Sequence, residues 1–420
     1  MKNYLFEKGA NLFPKVKKAS GVCLEGENGK RYIDFASSTF NLSLGYNHPV
    51  ILEAVRKQME KACYTSTSFS HDVVLELSEK LVKLCPKNLT KVHPKCTGGS
   101  TANEGAIKAA LKVTKRDDIV SYYYGYHGQT YLTQAITGYD SQRKCLPGAG
   151  FNIIRIPFPY CYRCFFDKKF PQCKLFCLNK ISEILDISSN NGPACIIMEP
   201  ILGIGGCVVP PKRYMKGLER ICKERNIPLI IDEVMTGIGR TGKMFGFENF
   251  GIKPNMITLA KGLGGSGFGS AALVAEERFT VLDDYEHSFT ASNYLIGAAA
   301  ANATLDIISS PYFLKNVRRL GKILKDRLLN FKNRFDFIGD VRGIGLMQGM
   351  EIVKGESPDT ARALRIVRKA FDEGLFIRCY KHALTNTILI VPALIITDDE
   401  LNEGLDIIEK VLIYEQKHEK

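Results

Sequence analysis

The sequence predicts an α/β fold built on a mostly parallel sheet, and three observations predict it. Short, largely apolar runs, IVSYYY (119–124), ACIIM (194–198), PLII (228–231) and NMITLA (255–260), are each bounded by turn residues, the pattern of strands buried on both faces. Segments with helical spacing of apolar residues alternate with these runs, which gives a βαβ rhythm. Charged residues stand at the carboxyl ends of the runs: Glu199 after the second, Asp232 and Glu233 after the third, Lys261 after the fourth. Open parallel sheets bind ligands beyond the carboxyl ends of their strands, so a carboxylate and an amine placed there on neighbouring strands face one crevice.

At 420 residues the chain is too long for one simple core, and two lobes are expected. Apolar content of 45% and charged content of 24% are those of an ordinary soluble globular enzyme. The formal charge of +13 is spread over scattered residues such as Lys15, Lys17, Arg318 and Arg319. No stripe of Lys and Arg interleaved with aromatics occurs, so a nucleic-acid partner is not expected; a positive field favours anionic cofactors and substrates. Nothing resembles a membrane span, and the opening MKNYLFEKGANLFPKVKK has no apolar run long enough for a signal peptide. Thirteen cysteines without a secretory signal point to a reducing cytoplasm.

In chain order, Val22–Ala36 alternate around the turn ENGK and predict a hairpin. After Asn47-His48-Pro49, VILEAVRKQMEKA carries helical spacing, and a short helix is expected over Ser78–Leu84. TGGSTANEGAIKAA (97–110) sets glycines and hydroxyls ahead of a helix, where free N–H groups and the helix dipole suit a phosphate. Gly99 permits close backbone approach, and Ser100 and Thr101 add hydroxyl donors; an ordinary helix cap reads the same way. Tyr126 and His127 fall on the turn beyond the strand 119–124. Cys161, Cys164, Cys173 and Cys177, separated by two, eight and three residues, have zinc-like spacing, yet buried free thiols are expected and no metal. From about Ser310 a long helix, the strands of RGIGLMQGMEIV, the helix ARALRIVRKAFDEG and ILIVPALIIT suggest a separate C-terminal lobe.

Several motifs in this order resemble those of the class III (subgroup II) pyridoxal-phosphate aminotransferases of fold type I, over Phe13 to Lys410. DEVMTGIGRTG matches the family's DEVxTGxGRTG, and LAKGLGGS its LAKGLGGG. The resemblance implies a large domain (61–308) with a mostly parallel seven-stranded sheet, and a small α+β domain formed by the N-terminal segment (1–60) and the C-terminal segment (309–420). It implies pyridoxal 5'-phosphate as cofactor, Lys261 as the Schiff-base lysine and Asp232 under the pyridine nitrogen. Gly99, Ser100 and Thr101 fall in the phosphate cup. Tyr126 stacks on the ring, with His127 beside it, Val234 packs on the opposite face, and Glu199 opens a segment near the cofactor. Thr290, in HSFTASNYLIGAAAANATL, matches a threonine that reaches the phosphate of the neighbouring subunit, which implies a homodimer.

Two departures bear on substrate. Relatives that use 2-oxoglutarate carry a glutamate in GExG and an arginine before PPL; here those positions are Ile204 and Leu389. Losing both leaves neither charge buried alone, and an apolar wall on the substrate side is expected. An amine or amino acid and a keto acid are the expected substrates of an aminotransferase. Stretches such as the YRC segment and HSFTASN are similar to the family's amino-acid racemase and epimerase branch, so racemisation on the same fold stands as the alternative.

Overall fold

The protein is described by a computed structural model covering residues 14–418 apart from 144–145, 147–149, 151, 284 and 381–385. The hairpin expected near the N-terminus forms from β2 (Cys23–Gly26) and β3 (Arg31–Asp34), preceded by β1 (Val16–Ser20). The central sheet contains β4 (Lys91–Cys96), β5 (Ile119–Tyr122), β6 (Ile153–Ile156), β7 (Cys195–Met198), β8 (Leu229–Asp232), β9 (Met256–Leu259) and β10 (Ala271–Ala275). Its spatial order is β4-β10-β9-β8-β7-β5-β6. The pairs from β9 through to β6 are parallel, while β10 runs antiparallel to both of its neighbours. Every residue of β5, β7, β8, β9 and β10 is buried, as their unbroken apolar runs require of strands covered on both faces.

β5 ends at Tyr122, two residues before the predicted end, because Tyr124 adopts φ 67° and Gly125 N–H bonds back to the Tyr122 carbonyl. The helix expected at Ser78–Leu84 begins earlier, at Asp72, where the His71 ring accepts from Val73 N–H and caps it. Helix Gly99–Thr114 lays Ala102, Asn103, Ala106, Ile107 and Ala110 on its buried face and packs against β9 and β10. Helix Leu295–Ile308 is buried almost throughout, since its alanines allow close packing on every side. At Gly297 a Cβ would stand 2.0 Å from the Gly269 carbonyl oxygen, so only glycine fits there.

Beyond the long helix Pro311–Arg334, β11 (Ile338–Ile344), β12 (Met347–Lys354) and β13 (Ser357–Pro358) form a second sheet. β14 (Leu375–Phe376) returns to pair with β3, and β15 (Thr387–Ile390) pairs with β12. The chain's two ends are thus joined through β3 and β14. Among the described residues, no helix is long and apolar enough to cross a membrane.

A buried carboxylate, Glu351 on β12, binds the cysteine-rich segment to this second sheet. It receives Arg342 Nη1 at 2.5 Å and Asn386 Nδ2 at 3.1 Å, and also Tyr160 Oη and Arg163 Nε. The YRC segment therefore has a structural task. Removing one partner of a buried ion pair leaves an uncompensated charge and costs about 3–5 kcal/mol. Glu351→Ala is expected to lower stability by about that amount, read as a shift in the urea unfolding midpoint. The four cysteines of this segment are free: Cys161 is exposed, and Cys164, Cys173 and Cys177 are half-buried rather than fully enclosed. They line one aromatic-walled cavity with Phe165, Phe166 and Phe176.

Candidate active site

A cavity of about 280 Å³ opens at the carboxyl ends of the parallel strands, the scale of a small-molecule site. Each strand delivers its own group. Tyr126 and His127 follow β5, Glu199 follows β7, Asp232 ends β8, and Lys261 lies two residues beyond β9. The reversed strand β10 contributes its entry segment, Gly267–Ser270, to the same wall.

Asp232 is only 2% exposed and is held on all sides. Its Oδ2 receives Asn103 Nδ2 and His127 Nδ1, both at 2.8 Å, and its Oδ1 receives Val234 N–H at 3.0 Å. Asn103 is itself fixed: its side-chain oxygen accepts from Thr258 Oγ1 at 2.6 Å, and its amide also donates to the His127 carbonyl at 2.8 Å. A carboxylate oriented by three donors is positioned before any ligand arrives. Glu233, its neighbour in sequence, turns away and accepts from Thr236 Oγ1, Gly246 N–H and Phe247 N–H at 2.6, 2.8 and 2.7 Å. It is a structural acid outside the cavity's lining.

Lys261 adopts φ 44°, in the left-handed region that costs a lysine about 1–2 kcal/mol. Such strain collects at functional sites. Burial pushes its amine below the usual lysine range, while the charges of Asp232 and Glu199 act in the opposite sense. The net shift is toward the neutral, nucleophilic form of the amine. Glu199 accepts from Tyr126 N–H at 3.0 Å and Gly203 N–H at 2.8 Å.

Burial first, and then the negative charge of Asp232, push Glu199 up to about 7; burial also pushes Glu233 up to about 7. For both acids the folded state binds protons more tightly than the unfolded chain. Their contribution to stability is therefore complete below the ordinary value of 4.5 and is lost as pH rises through about 7. Cofactor-free protein is expected to lose stability across that interval. Glu199→Gln should flatten the slope by on the order of 2–3 kcal/mol, followed by unfolding at several pH values.

The fit of the cavity to pyridoxal 5'-phosphate rests on its own donors. The first-turn N–H groups of helix Gly99–Thr114 have no partner within the helix and open onto the cavity beside Gly98, Gly99 and Ser100. A Cβ at Gly98 or Gly269 would meet nothing within 4 Å, so the cavity extends over both glycines. At Gly99 a Cβ would lie 2.9 Å from the Val234 methyls, which brings Val234 directly over the cup. Nε2 of His127, buried at the cavity wall, has no hydrogen-bond partner among the described residues. An anion-binding helix end, a pre-oriented carboxylate and an amine fit a phosphorylated, cationic-ring aldehyde.

Of the residues expected from sequence, Gly99, Ser100, Tyr126, His127, Glu199, Asp232, Val234 and Lys261 all line the cavity. Thr101 does not. Its hydroxyl accepts from Thr97 N–H at 3.0 Å and Gly98 N–H at 3.1 Å and donates to the Gly98 carbonyl at 2.9 Å, so it braces the cup from behind. Thr290 is exposed and outside the cavity of its own chain. Ile204 lines the cavity, whereas Leu389 is buried in β15 opposite Gly349 and does not. Asn103 and Thr258 were not anticipated. The signal for Asn103 was an amide on a helix face otherwise made of alanine and isoleucine.

Comparison with known proteins agrees with this geometry. The family Aminotransferase class-III matches residues 5–412. The chain is 36% identical to the leucine/methionine racemase of Thermococcus litoralis, over 98% of this chain and 95% of that one. It is 33% identical to the probable 4-aminobutyrate aminotransferase of Bacillus subtilis, over 93% and 91%. The crystal structure of taurine:2-oxoglutarate aminotransferase from Bifidobacterium kashiwanohense, in complex with PLP and glutamate, superposes with TM-score 0.91 at 28% identity, covering 100% and 96%. Fold and site together define a pyridoxal-phosphate enzyme of the transaminase fold. The chain belongs to the class-III aminotransferase family.

Proposed function

We propose that this protein moves an amino group between an amine or amino acid and a keto acid, with Lys261 as the amine that bonds the aldehyde carbon of pyridoxal 5'-phosphate. The observation that carries the reading is the pairing, across one cavity, of a buried amine below its usual basicity with a carboxylate held by three donors. Pyridoxal 5'-phosphate supplies an electron sink for the pair left when a bond at the substrate's α-carbon breaks. Asp232 holds the proton on the ring nitrogen, since a buried anion beside that nitrogen favours its charged form. Lys261 Nζ would carry the proton at the substrate's α-carbon. The helix end at Gly99 and Ser100 binds the phosphate, and Tyr126 and Val234 enclose the ring. Thr290 reaches the phosphate site of the neighbouring subunit in a homodimer; its exposure on the loop ahead of helix Leu295–Ile308 supports that role. A cytoplasmic location fits the cysteines, all of them free among the described residues.

Amino-acid racemisation is the second reading, favoured by Ile204 in the cavity wall and by the similarity to the leucine/methionine racemase. The two reactions share the carbanion and differ in the carbon that regains the proton. A panel of amino donors and keto acceptors, with α-hydrogen exchange followed alongside, tests the choice. Amino transfer that strictly requires a keto acid supports the first reading. Exchange and loss of optical activity without any keto acid overturns it in favour of the second.

A further inference from the structure

Behind the phosphate cup, two residues of one strand meet a third from a distant loop. His93 on β4, Cys96 at the end of the same strand and His287 in the loop after β10 bring donor atoms within 4.8 Å of one another. Cys96 is 5% exposed and His287 2%; His93 is half-buried, its ring centroid 5.3 Å from that of His287. Nε2 of His287 lies 2.9 Å from the Thr101 carbonyl oxygen. A carbonyl only accepts, so Nε2 carries the ring proton and Nδ1 presents its lone pair. That Nδ1 is buried and has no hydrogen-bond partner among the described residues. One ring N–H fixed on a backbone carbonyl, with the other nitrogen left without a partner, is the arrangement seen in metal-ligating histidines.

We propose that His93, Cys96 and His287 form a site for a zinc-type divalent cation that ties the end of β4 to the loop carrying Thr290. Two imidazoles and a thiolate are a borderline-soft donor set, suited to Zn²⁺ and not to Mg²⁺ or Ca²⁺, which take oxygen. A ligating cysteine is a thiolate, so binding requires the cation to displace the Cys96 thiol proton. The balance is one Zn²⁺ bound, one Zn–S bond formed, one S–H bond broken and one proton released. Water completes the tetrahedron at the fourth position. The consequence for the cup is direct: His287 holds Thr101 by its carbonyl, and the Thr101 hydroxyl holds the Thr97 and Gly98 N–H groups. The site stands independently of which amino-group reaction the cavity performs.

The test uses the full-length protein, stripped with a chelator and titrated with Zn²⁺ against a chromophoric competitor, then with Co²⁺. One equivalent of Zn²⁺ per chain, about one proton released and a thiolate-to-cobalt charge-transfer band are expected. Cys96→Ser and His287→Gln should each weaken binding by at least about 100-fold. A double Cys161→Ser, Cys164→Ser variant should leave it unchanged. Zinc-edge absorption spectroscopy of the loaded wild type needs no variant to fold: one sulfur with three nitrogen or oxygen neighbours supports the site. Several sulfurs around the ion would assign it to the other cysteines and overturn the proposal. So would the absence of stoichiometric binding, or binding that survives Cys96→Ser.

Discussion

Replacing Lys261 with methionine is expected to lower turnover by at least about 10⁴-fold, because the two roles proposed for it, covalent attachment of the cofactor and proton transfer at the α-carbon, would be lost together. Methionine keeps much of the length and fills the same space with an apolar chain, so the cavity wall survives. Burial already works against the charged amine, so an apolar replacement removes a desolvation cost and the fold is expected to hold. The checks are activity on the best donor–acceptor pair and mass spectrometry after borohydride reduction. In the wild type the peptide containing position 261 should carry the mass of the cofactor; in the variant no peptide should. Turnover within tenfold of wild type would remove Lys261 from the mechanism.

Asp232→Asn is expected to lower kcat by about 10²–10³-fold, within the range for loss of a positioned proton-holding group. Asparagine occupies the same volume but lacks the charge that retains the proton on the ring nitrogen. Asn103 and His127 would then face an amide in place of an anion, and one donor pair would clash or rotate. The informative readout is a split: kcat should fall much further than cofactor affinity, which the helix end at Gly99 largely sets. An equal loss in both would make Asp232 a packing residue. The charge at 232 also supports protonation of Lys261, so its removal should hold the amine still lower and shift the acid limb of the pH–rate profile downward.

Much of this was legible because strands buried on both faces leave a distinct record. Unbroken apolar runs ending in a charge at Glu199, Asp232 and Lys261 placed three cavity groups on three neighbouring strands, as β7, β8 and β9 bear out. What the record lacks is the direction of a side chain. Glu233 and Thr101 had the right chemistry at the right spacing, yet hydrogen bonds to their own loops turn both away from the cavity. Asn103 matters through partners 24, 129 and 155 residues distant, which no local pattern reveals. The anchor of the cysteine segment was hidden for the same reason, since Glu351 lies on a strand 188 residues further along the chain. One element was readable and passed over: helix Asp398–Lys417 opens with Thr397 and Glu400 in a capping box, a T-x-x-E signature ahead of apolar periodicity.

The reversed direction of β10 has a consequence for how the lysine travels. Because β9 and β10 lie side by side and run oppositely, the chain that leaves the cavity after Lys261 comes back to line it at Gly267–Ser270. A parallel strand in that place would have sent residues 262–270 back across the sheet to its far edge. Instead the lysine's backbone lies between two buried neighbouring strands. In the proposed mechanism, delivery of the amine between cofactor and substrate then falls to torsions of the side chain, a short crane arm on a braced mast.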